Sequence, residues 1–300
     1  MKKKTYLFTL MAMALTLGSC SDNENGIGGE TSKYITVSTS IGNMTRVATD
    51  AKGGQTFEEG DEISVYAWTG DASIAPDASE RVVNNAINKL TNGSWVSTPQ
   101  MLWKNNREKH YFIGVYPTAA ISDLSAGEYT FDVNKQTESD LLVAVNPDGL
   151  SYSADAQQIV PLTFTHVMAK LAVNLTYKNQ WGGIPTVEKV VVGNAAKEAT
   201  INYLTKVVTP STTAKEDFSL PEITENTKYV SVIIPQEEVK QLTIVIGGKN
   251  FVYDNGTPFK LESGKITTVN LEVGRDEIKL GDVKITDWEN GSTFSGEAIN

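Results

Sequence analysis

Apolar and polar residues alternate in short runs along nearly the whole chain, and this pattern constrains the fold more than any other feature. In the first run, Ile35, Val37, Thr39 and Ile41 alternate with polar residues. A period of two places successive side chains on opposite faces of a β-strand, so we predict a half-buried strand here. Further strand-like runs are Ile63–Trp68, Tyr111–Tyr116, Tyr129–Val133, Leu141–Val145, Val167–Tyr177, Val187–Val192, Tyr229–Ile234, Leu242–Ile246, Phe251–Tyr253, Ile266–Val273 and Ile278–Ile285.

Turn-forming residues separate these runs. Asn92-Gly93 and Asn255-Gly256 are typical of tight hairpin turns. The remaining turn sequences are Gly53-Gly54, Pro147-Asp148-Gly149, Gly182-Gly183, Gly247-Gly248 and Asn290-Gly291. Only Ser79–Leu90 is also compatible with a helix, and its apolar residues fit a strand nearly as well. Many short strands with frequent turns predict an all-β protein made of β-sandwiches.

The chain is long enough for two domains with sizeable cores. The polar segment Ser151–Gln158 follows a turn and marks the predicted junction. We therefore expect an N-terminal β-sandwich domain over residues 31–158 and a C-terminal one over residues 159–300. Since no long linker rich in proline or serine separates them, the two domains are expected to pack together.

The first thirty residues have the features of an export signal. Lys2, Lys3 and Lys4 precede the apolar run Tyr6–Leu17, which is too short to span a bilayer but suits the core of a secretory signal. The run ends in the sequence LGSC, which resembles a bacterial lipobox and contains Cys20, the one cysteine of the chain.

This arrangement predicts a signal peptide over residues 1–19, attachment of acyl chains such as palmitate to Cys20, and a lipidated tether over residues 20–30. The alternative is a plain secretory signal with an incidental cysteine. The acidic stretch Ser21–Asn25 is similar to signals that send Bacteroidetes lipoproteins to the outer face of the cell, and an ordinary solvated tether is the other interpretation.

Composition argues against several classes of function. Without the three signal lysines the formal net charge changes from -10 to -13, which disfavours binding to nucleic acid. Two histidines cannot supply a zinc site unless carboxylates provide most ligands. No nucleophile elbow, dinucleotide-binding loop or P-loop is present. We therefore expect no enzymatic activity, no catalytic residue, no cofactor and no metal. Calcium binding is an alternative at an acidic cluster whose spacing does not match an EF-hand, formed by Glu58, Glu59, Asp61 and Glu62.

The tryptophans and histidines have structural interpretations. Trp95, Trp103 and Trp288 are expected to anchor the core, with a ligand platform as the alternative. His166 is expected to be a structural histidine with its hydrogen bonds satisfied. The basic stretch Lys104–Lys109, next to His110, is predicted to be a solvated loop.

An ordered set of sequence blocks carries a resemblance to a known family. The blocks are Thr56–Ala67 (TFEEGDEISVYA), Asn92–Trp95 (NGSW) with Trp103, Phe112–Pro117, Leu162–Leu171 (LTFTHVMAKL), Phe259–Lys265 (FKLESGK) and Val283–Trp288 (VKITDW). Together with the lipobox they resemble the fimbrillin family of Bacteroidetes pilus subunits over nearly the whole chain. The resemblance implies two tandem transthyretin-like β-sandwich domains, a place in a fimbrium at the outer membrane or cell surface, and a role in adhesion.

The resemblance also implies a maturation mechanism. A trypsin-like protease cuts after an arginine of the first domain, releases the lipidated N-terminal strand, and leaves a groove that accepts a strand from another subunit. In this chain the matching site is Arg46, followed by Val47. The implied removable strand contains Ile35, Val37 and Ile41. The candidate donor strand contains Ile278, Leu280, Val283 and Ile285.

The implied partners are other pilin subunits, the processing protease, the outer membrane through the lipid, and a host or bacterial surface ligand, but no nucleic acid. The segment after Trp288 is polar except for Phe294 and Ile299, which leaves the span of the donor strand open. One alternative is a tip or surface adhesin that binds carbohydrate or a host ligand without polymerising. A surface hydrolase is the other.

Overall fold

The computed structural model describes residues 33–42, 56–153, 158–254 and 256–288. Regular structure in these ranges is almost wholly β, which confirms the predicted all-β sandwich class. A four-residue helix, α1 (Gln136–Ser139), and a 3-10 turn at Asn179–Trp181 are the helical segments there. The strands are β1 (Thr36–Ile41), β2 (Glu62–Thr69), β3 (Val83–Thr91), β4 (Ser94–Thr98), β5 (His110–Tyr116), β6 (Gly127–Thr130), β7 (Leu142–Leu150), β8 (Ile159–His166), β9 (Ala169–Tyr177), β10 (Val187–Ala196), β11 (Glu198–Asn202), β12 (Val207–Pro210), β13 (Lys215–Ser219), β14 (Glu222–Thr224), β15 (Lys228–Ile233), β16 (Gln241–Ile246), β17 (Lys249–Asp254), β18 (Lys265–Val273) and β19 (Ile278–Asp287).

The described strands form four sheets. A seven-stranded sheet has the order β1-β8-β7-β5-β2-β3-β4. The others are a five-stranded sheet β14-β15-β9-β18-β19, a four-stranded sheet β13-β10-β16-β17 and a three-stranded sheet β12-β11-β6. Two pairs run parallel, β1 with β8 and β9 with β18. The tandem transthyretin-like arrangement stays a prediction.

Each predicted strand-like run overlaps an observed strand, and Ser79–Leu90 also contributes one. It forms β3 from Val83 onwards, because this segment pairs with β2 on one side and β4 on the other. The hairpin turn predicted at Asn92-Gly93 connects β3 to β4, and both residues have positive φ, 51° and 72°. Strands β4 and β11 to β14 have three to five residues each, which is too short to show a periodic pattern.

The central strands of the seven-stranded sheet are buried on both faces. On β2, Ile63 and Val65 face a smaller core that includes residues of β1 and β8. Their neighbours Tyr66 and Trp68 face a larger core, which contains residues from both halves of the chain, among them Val190 and Val269. The seven-stranded sheet therefore shares one of its cores with the C-terminal sheets.

The strand after the predicted domain boundary lies in the N-terminal sheet. β8 begins at Ile159, yet it pairs with β1 on one side and β7 on the other. In the opposite sense, β6 of the N-terminal half pairs with β11 of the C-terminal half. The division at residue 158 stays a prediction, and the sheet that starts with β1 continues to His166.

Three of the predicted functional residues lie outside the described ranges, namely Cys20, Arg46 and Val47. The predicted signal peptide and tether lie there as well. In the part of the chain that the structure does describe, no helix combines the length and the apolar character needed to cross a bilayer.

Candidate functional site: the two edge strands

The first candidate element, β1, is an edge strand that fills a gap. It runs parallel to β8, with Thr36 opposite Ile159 and Ile41 opposite Phe164. Its other side faces β4, the strand at the opposite edge of the same sheet, because Trp95 Nε1 donates a hydrogen bond to Thr39 Oγ1 at 3.0 Å. The space that β1 occupies between β8 and β4 is called the β1 groove below.

The inward side chains of β1 complete the smaller core. Ile35, which directly precedes the strand, is 2% exposed and Val37 is 7% exposed, while Ile41 is half-buried against the same core. All three predicted residues of the removable strand thus face the groove. The floor and walls contain Ile63, Val65, Ala67, Val83, Ala86, Met101, Trp103, Phe112, Leu142, Ala144, Val160, Leu162 and Phe164. Removal of β1 would expose this apolar floor and leave the backbone of β8 unpaired, which is the condition for strand addition.

The floor of the groove is closely packed around Phe164. This ring is fully buried and meets Phe57 edge-to-face, with 5.1 Å between centroids. Gly114 on β5 lies directly beneath it, and a Cβ built at Gly114 would be 2.6 Å from Phe164 Cζ. The glycine therefore provides the space that the aromatic ring occupies.

The second candidate element, β19, is the edge strand of the five-stranded sheet. It pairs antiparallel with β18, and a bulge places Gly281 and Asp282 opposite one residue of β18. Before the bulge, Ile278 and Leu280 pack partly against the larger core. After it, Val283 and Ile285 are 41% and 38% exposed. The predicted donor residues thus form one strand whose later apolar side chains are only partly covered.

The C-terminal end of β19 is attached to the first sheet through Trp288. The indole is 2% exposed and stacks on His166, the last residue of β8, with ring centroids 4.1 Å apart and an angle of 6°. Lys170 Nζ lies 4.1 Å from the indole centroid. His166 Nδ1 is 2.8 Å from Asp140 Oδ1. We call the three residues that contact or support the indole, Asp140, His166 and Lys170, the Trp288 socket.

The socket holds two buried titratable groups. Desolvation lowers the pKa of Lys170 to about 8, which the charge of Asp140 partly offsets and that of Lys228 reinforces. His166 is buried, but the prediction that its hydrogen bonds are satisfied is wrong for one nitrogen, because Nε2 is buried without a hydrogen-bond partner among the described residues. The indole of Trp288 therefore packs against the ammonium group of Lys170, which is largely buried.

The other predicted aromatic and histidine positions differ in burial. Trp103 is buried as predicted, whereas Trp95 is only partly buried because its indole lies between β4 and β1. The loop Lys104–Lys109 is largely exposed, as expected. His110, by contrast, is fully buried beside Trp103, and desolvation lowers its pKa.

The acidic cluster near β2 has structural partners. Glu59 accepts hydrogen bonds from the backbone N–H groups of Asn92 and Gly93, at 2.8 and 2.6 Å. Two further carboxylates bond to nearby groups, Asp61 to the N–H of Glu58 and Glu62 to the ammonium of Lys89. Across the described ranges, no group of three or more histidine, cysteine or acidic residues is arranged to hold a metal ion.

Several residues of the candidate site were not predicted from sequence. β8, with Val160, Leu162 and Phe164 facing inward, forms one wall of the groove, and its alternation with exposed residues was a usable signal. Asp140 and Lys170 carried no comparable signal, because their roles depend on a tryptophan more than a hundred residues away.

Comparison with known proteins identifies the family. The fimbrillin-like family model matches residues 45–288. A candidate cell adhesion protein of known structure from Bacteroides ovatus is similar, with a TM-score of 0.62 and 18% identity over 85% of this chain and 98% of that chain. A second one, from Bacteroides uniformis, has a TM-score of 0.60 and 18% identity over 86% and 100%. A fimbrial protein from Bacteroides vulgatus has a TM-score of 0.52 and 12% identity over 84% and 99%.

No curated protein matches the sequence. At such low identities, the structural likenesses show the fold alone. The family match, in contrast, spans most of the chain and includes every block from Thr56 to Trp288 that carried the resemblance. The chain therefore belongs to the fimbrillin-like family.

Proposed function

We propose that this protein is a structural subunit of a cell-surface pilus that supports adhesion. It is exported as a lipoprotein to the outer membrane, matured by cleavage after Arg46, and polymerised by strand exchange with further pilin subunits. The observation that carries the proposal is β1, an edge strand whose inward side chains complete a core between β8 and β4. Family membership and the fimbrial and adhesion proteins among the structural relatives support it.

The energetics of the β1 groove suit an exchange of strands. Burial of large aliphatic side chains such as Ile35 and Val37 contributes roughly 2 kcal/mol each. A replacement strand with apolar residues at alternate positions would recover this contribution and pair with the free backbone of β8. Once the covalent connection to the following chain is cut, only non-covalent contacts hold β1, so another strand can compete for the groove.

The position of Arg46 suits that cut. It follows Gly42, the end of the first described range, by four residues, so cleavage there separates β1 from β2 in the chain. Of the other arginines, Arg107 is exposed and is tested as a control below, whereas the remaining two make contacts that disfavour proteolysis. Arg81 is buried and donates to the Ile121 carbonyl at 2.8 Å, and the backbone N–H of Arg275 donates to Gln180 at 3.1 Å.

The donor we propose is β19, with Ile278, Leu280, Val283 and Ile285 as the side chains that enter the groove of the next subunit. Two observations support it. The strand is at a sheet edge, so only β18 has to release it among the described strands, and its last two apolar side chains are already exposed.

The test is controlled proteolysis followed by electron microscopy and sedimentation. Wild-type protein cut by a trypsin-like protease should form fibres. Arg46→Ala should stay full-length and monomeric. A chain truncated before Ile278 should be cut but stay monomeric, because it lacks the donor strand, while the control Arg107→Ala should behave as wild type. Fibres formed by uncleaved Arg46→Ala protein would contradict the mechanism.

A non-polymerising adhesin is the second candidate. A surface depression of about 550 Å³ is lined by residues that include Val208, Pro235 and Leu261, and by no residue of β1 or β19. No aromatic ring is among its lining residues, and sugars stack preferentially on aromatic faces, so this function is less favoured. Binding of the intact monomer on a glycan array, with no fibres after cleavage, would support it.

A further inference from the structure

The Trp288 socket is the place where the end of β19 is held most firmly. Val283 and Ile285 are exposed, whereas three residues later the indole is almost fully buried. The backbone N–H of Trp288 also donates to the carbonyl of Gly264 at 3.0 Å, and Lys265 pairs with Asp287 next to it.

The socket joins the end of β19 to two strands that stay in the subunit when β19 is donated. His166 ends β8, the wall of the β1 groove, and Lys170 begins the course of β9 in the five-stranded sheet. Asp140, just before β7, bonds to His166 Nδ1 and so orients the ring that stacks on the indole. Withdrawal of β19 would therefore require the indole to leave a stacked ring and a nearby ammonium together.

We propose that the Trp288 socket is a latch that keeps β19 in place in the separate subunit and has to open before β19 is donated. The inference rests on the proposed strand exchange and adds its regulation. Trp288, His166 and Asp140 are positioning residues in this scheme: they set how readily the strand is released. The latch keeps β19 paired with β18 until a vacant groove on another subunit can receive it.

The test measures strand release and polymerisation separately. In the full-length monomer, hydrogen exchange followed by mass spectrometry reports the opening of β19. We expect Trp288→Ala to raise exchange in residues 278–287 about tenfold, the order expected for the loss of one buried stacked ring and one cation–π contact. After cleavage, the initial rate of fibre formation should rise by a similar factor.

Two further variants distinguish a latch from general destabilisation. His166→Ala removes the stacking partner without altering β19, so it should raise the same exchange and remains informative if Trp288→Ala fails to fold. Phe218→Ala truncates another buried ring of the same larger core, on a strand of a different sheet from β19, and should leave hydrogen exchange in β19 unchanged. Trp288→Phe, which retains a ring, should restore most of the wild-type protection.

The outcomes separate this inference from the proposed function. Unchanged exchange in β19 for both Trp288→Ala and His166→Ala would overturn the latch, and so would faster exchange combined with slower fibre formation, since the indole would then act in the donated segment. If cleaved wild-type protein forms no fibres, the proposed strand exchange is wrong. Hydrogen exchange in the monomer then still decides whether the socket restrains β19.

Discussion

At the scale of single residues, the buried Lys170 shows how the fold changes ordinary side-chain chemistry. Desolvation lowers its pKa to about 8 in the folded state, below the ordinary value of 10.5. Between these values the unfolded chain binds more protons than the folded one, so this lysine makes stability rise with pH across that window.

We predict that Lys170→Met abolishes this contribution. Between pH 8 and pH 10, the free energy of unfolding of the wild type should rise by on the order of 2 kcal/mol relative to that of the variant. Urea unfolding at several pH values measures the difference, and the exposed Lys189→Met serves as a control that should retain the wild-type slope. Parallel slopes for wild type and Lys170→Met would contradict the pKa assignment.

Gly114 is a second residue whose role depends on one neighbour. We predict that Gly114→Ala destabilises the protein by about 1–3 kcal/mol, because the added methyl group would overlap the Phe164 ring in a packed core. Chemical denaturation gives the change in free energy of unfolding. Gly193→Ala is the matched control, since its methyl group meets only the flexible side chain of Gln241, at 3.1 Å. It should lower the free energy of unfolding by less than Gly114→Ala does.

At the scale of elements, β1 has one face in the core and one in solvent. We predict that Val37→Asp destabilises the intact subunit by about 3 kcal/mol, because it places an unpaired carboxylate in the apolar groove. Ser38→Asp, one position along on the exposed face, should change stability by less than about 0.5 kcal/mol. Thermal and urea unfolding of both variants would test the register, and equal effects would show that β1 does not occupy the groove as described.

The contacts of β1 are compatible with the proposal that this edge strand is stable in the intact subunit and released after cleavage. As a strand it pairs only with β8, and the residues just before it add backbone hydrogen bonds to Met101 and Trp103, while Ile35 and Val37 give it an apolar anchor. β19 has the reverse balance: its pairing with β18 is long, and its exposed Val283 and Ile285 contribute little to the core of the separate subunit.

At the scale of the whole molecule, the lipobox predicts how the subunit reaches the surface. We predict that Cys20→Ala abolishes incorporation of labelled fatty acid and blocks normal maturation, because the variant lacks the proposed acylation site and two or more acyl chains are needed for stable anchoring. Metabolic labelling and cell fractionation measure both effects. Ser21→Ala keeps the cysteine and should be processed as wild type; a Cys20→Ala protein that still carries label at the cell surface would show that the lipobox assignment is wrong.

The sequence by itself determined the fold class, most of the long strands and the Asn92-Gly93 hairpin. These features are local: alternation places side chains on the two faces of one strand, and a two-residue turn needs only residues that tolerate positive φ. The same local information marked β1 and β19 as amphipathic strands, and it correctly placed Trp103 and Trp288 in the core.

Only the tertiary structure decided which strands are neighbours. Periodicity in β8 is as clear as in β1, yet nothing local indicates that Ser40 meets Thr163, 123 residues later, or that β8 belongs to the N-terminal sheet. The meeting of Trp288 with His166 and Lys170 has the same origin, since the partner of a side chain is chosen by how distant strands pack. The edge positions of β1 and β19, the groove and the socket all result from that packing. A sequence pattern specifies which residues share one face of a strand, but it does not specify which other strands pack on that face.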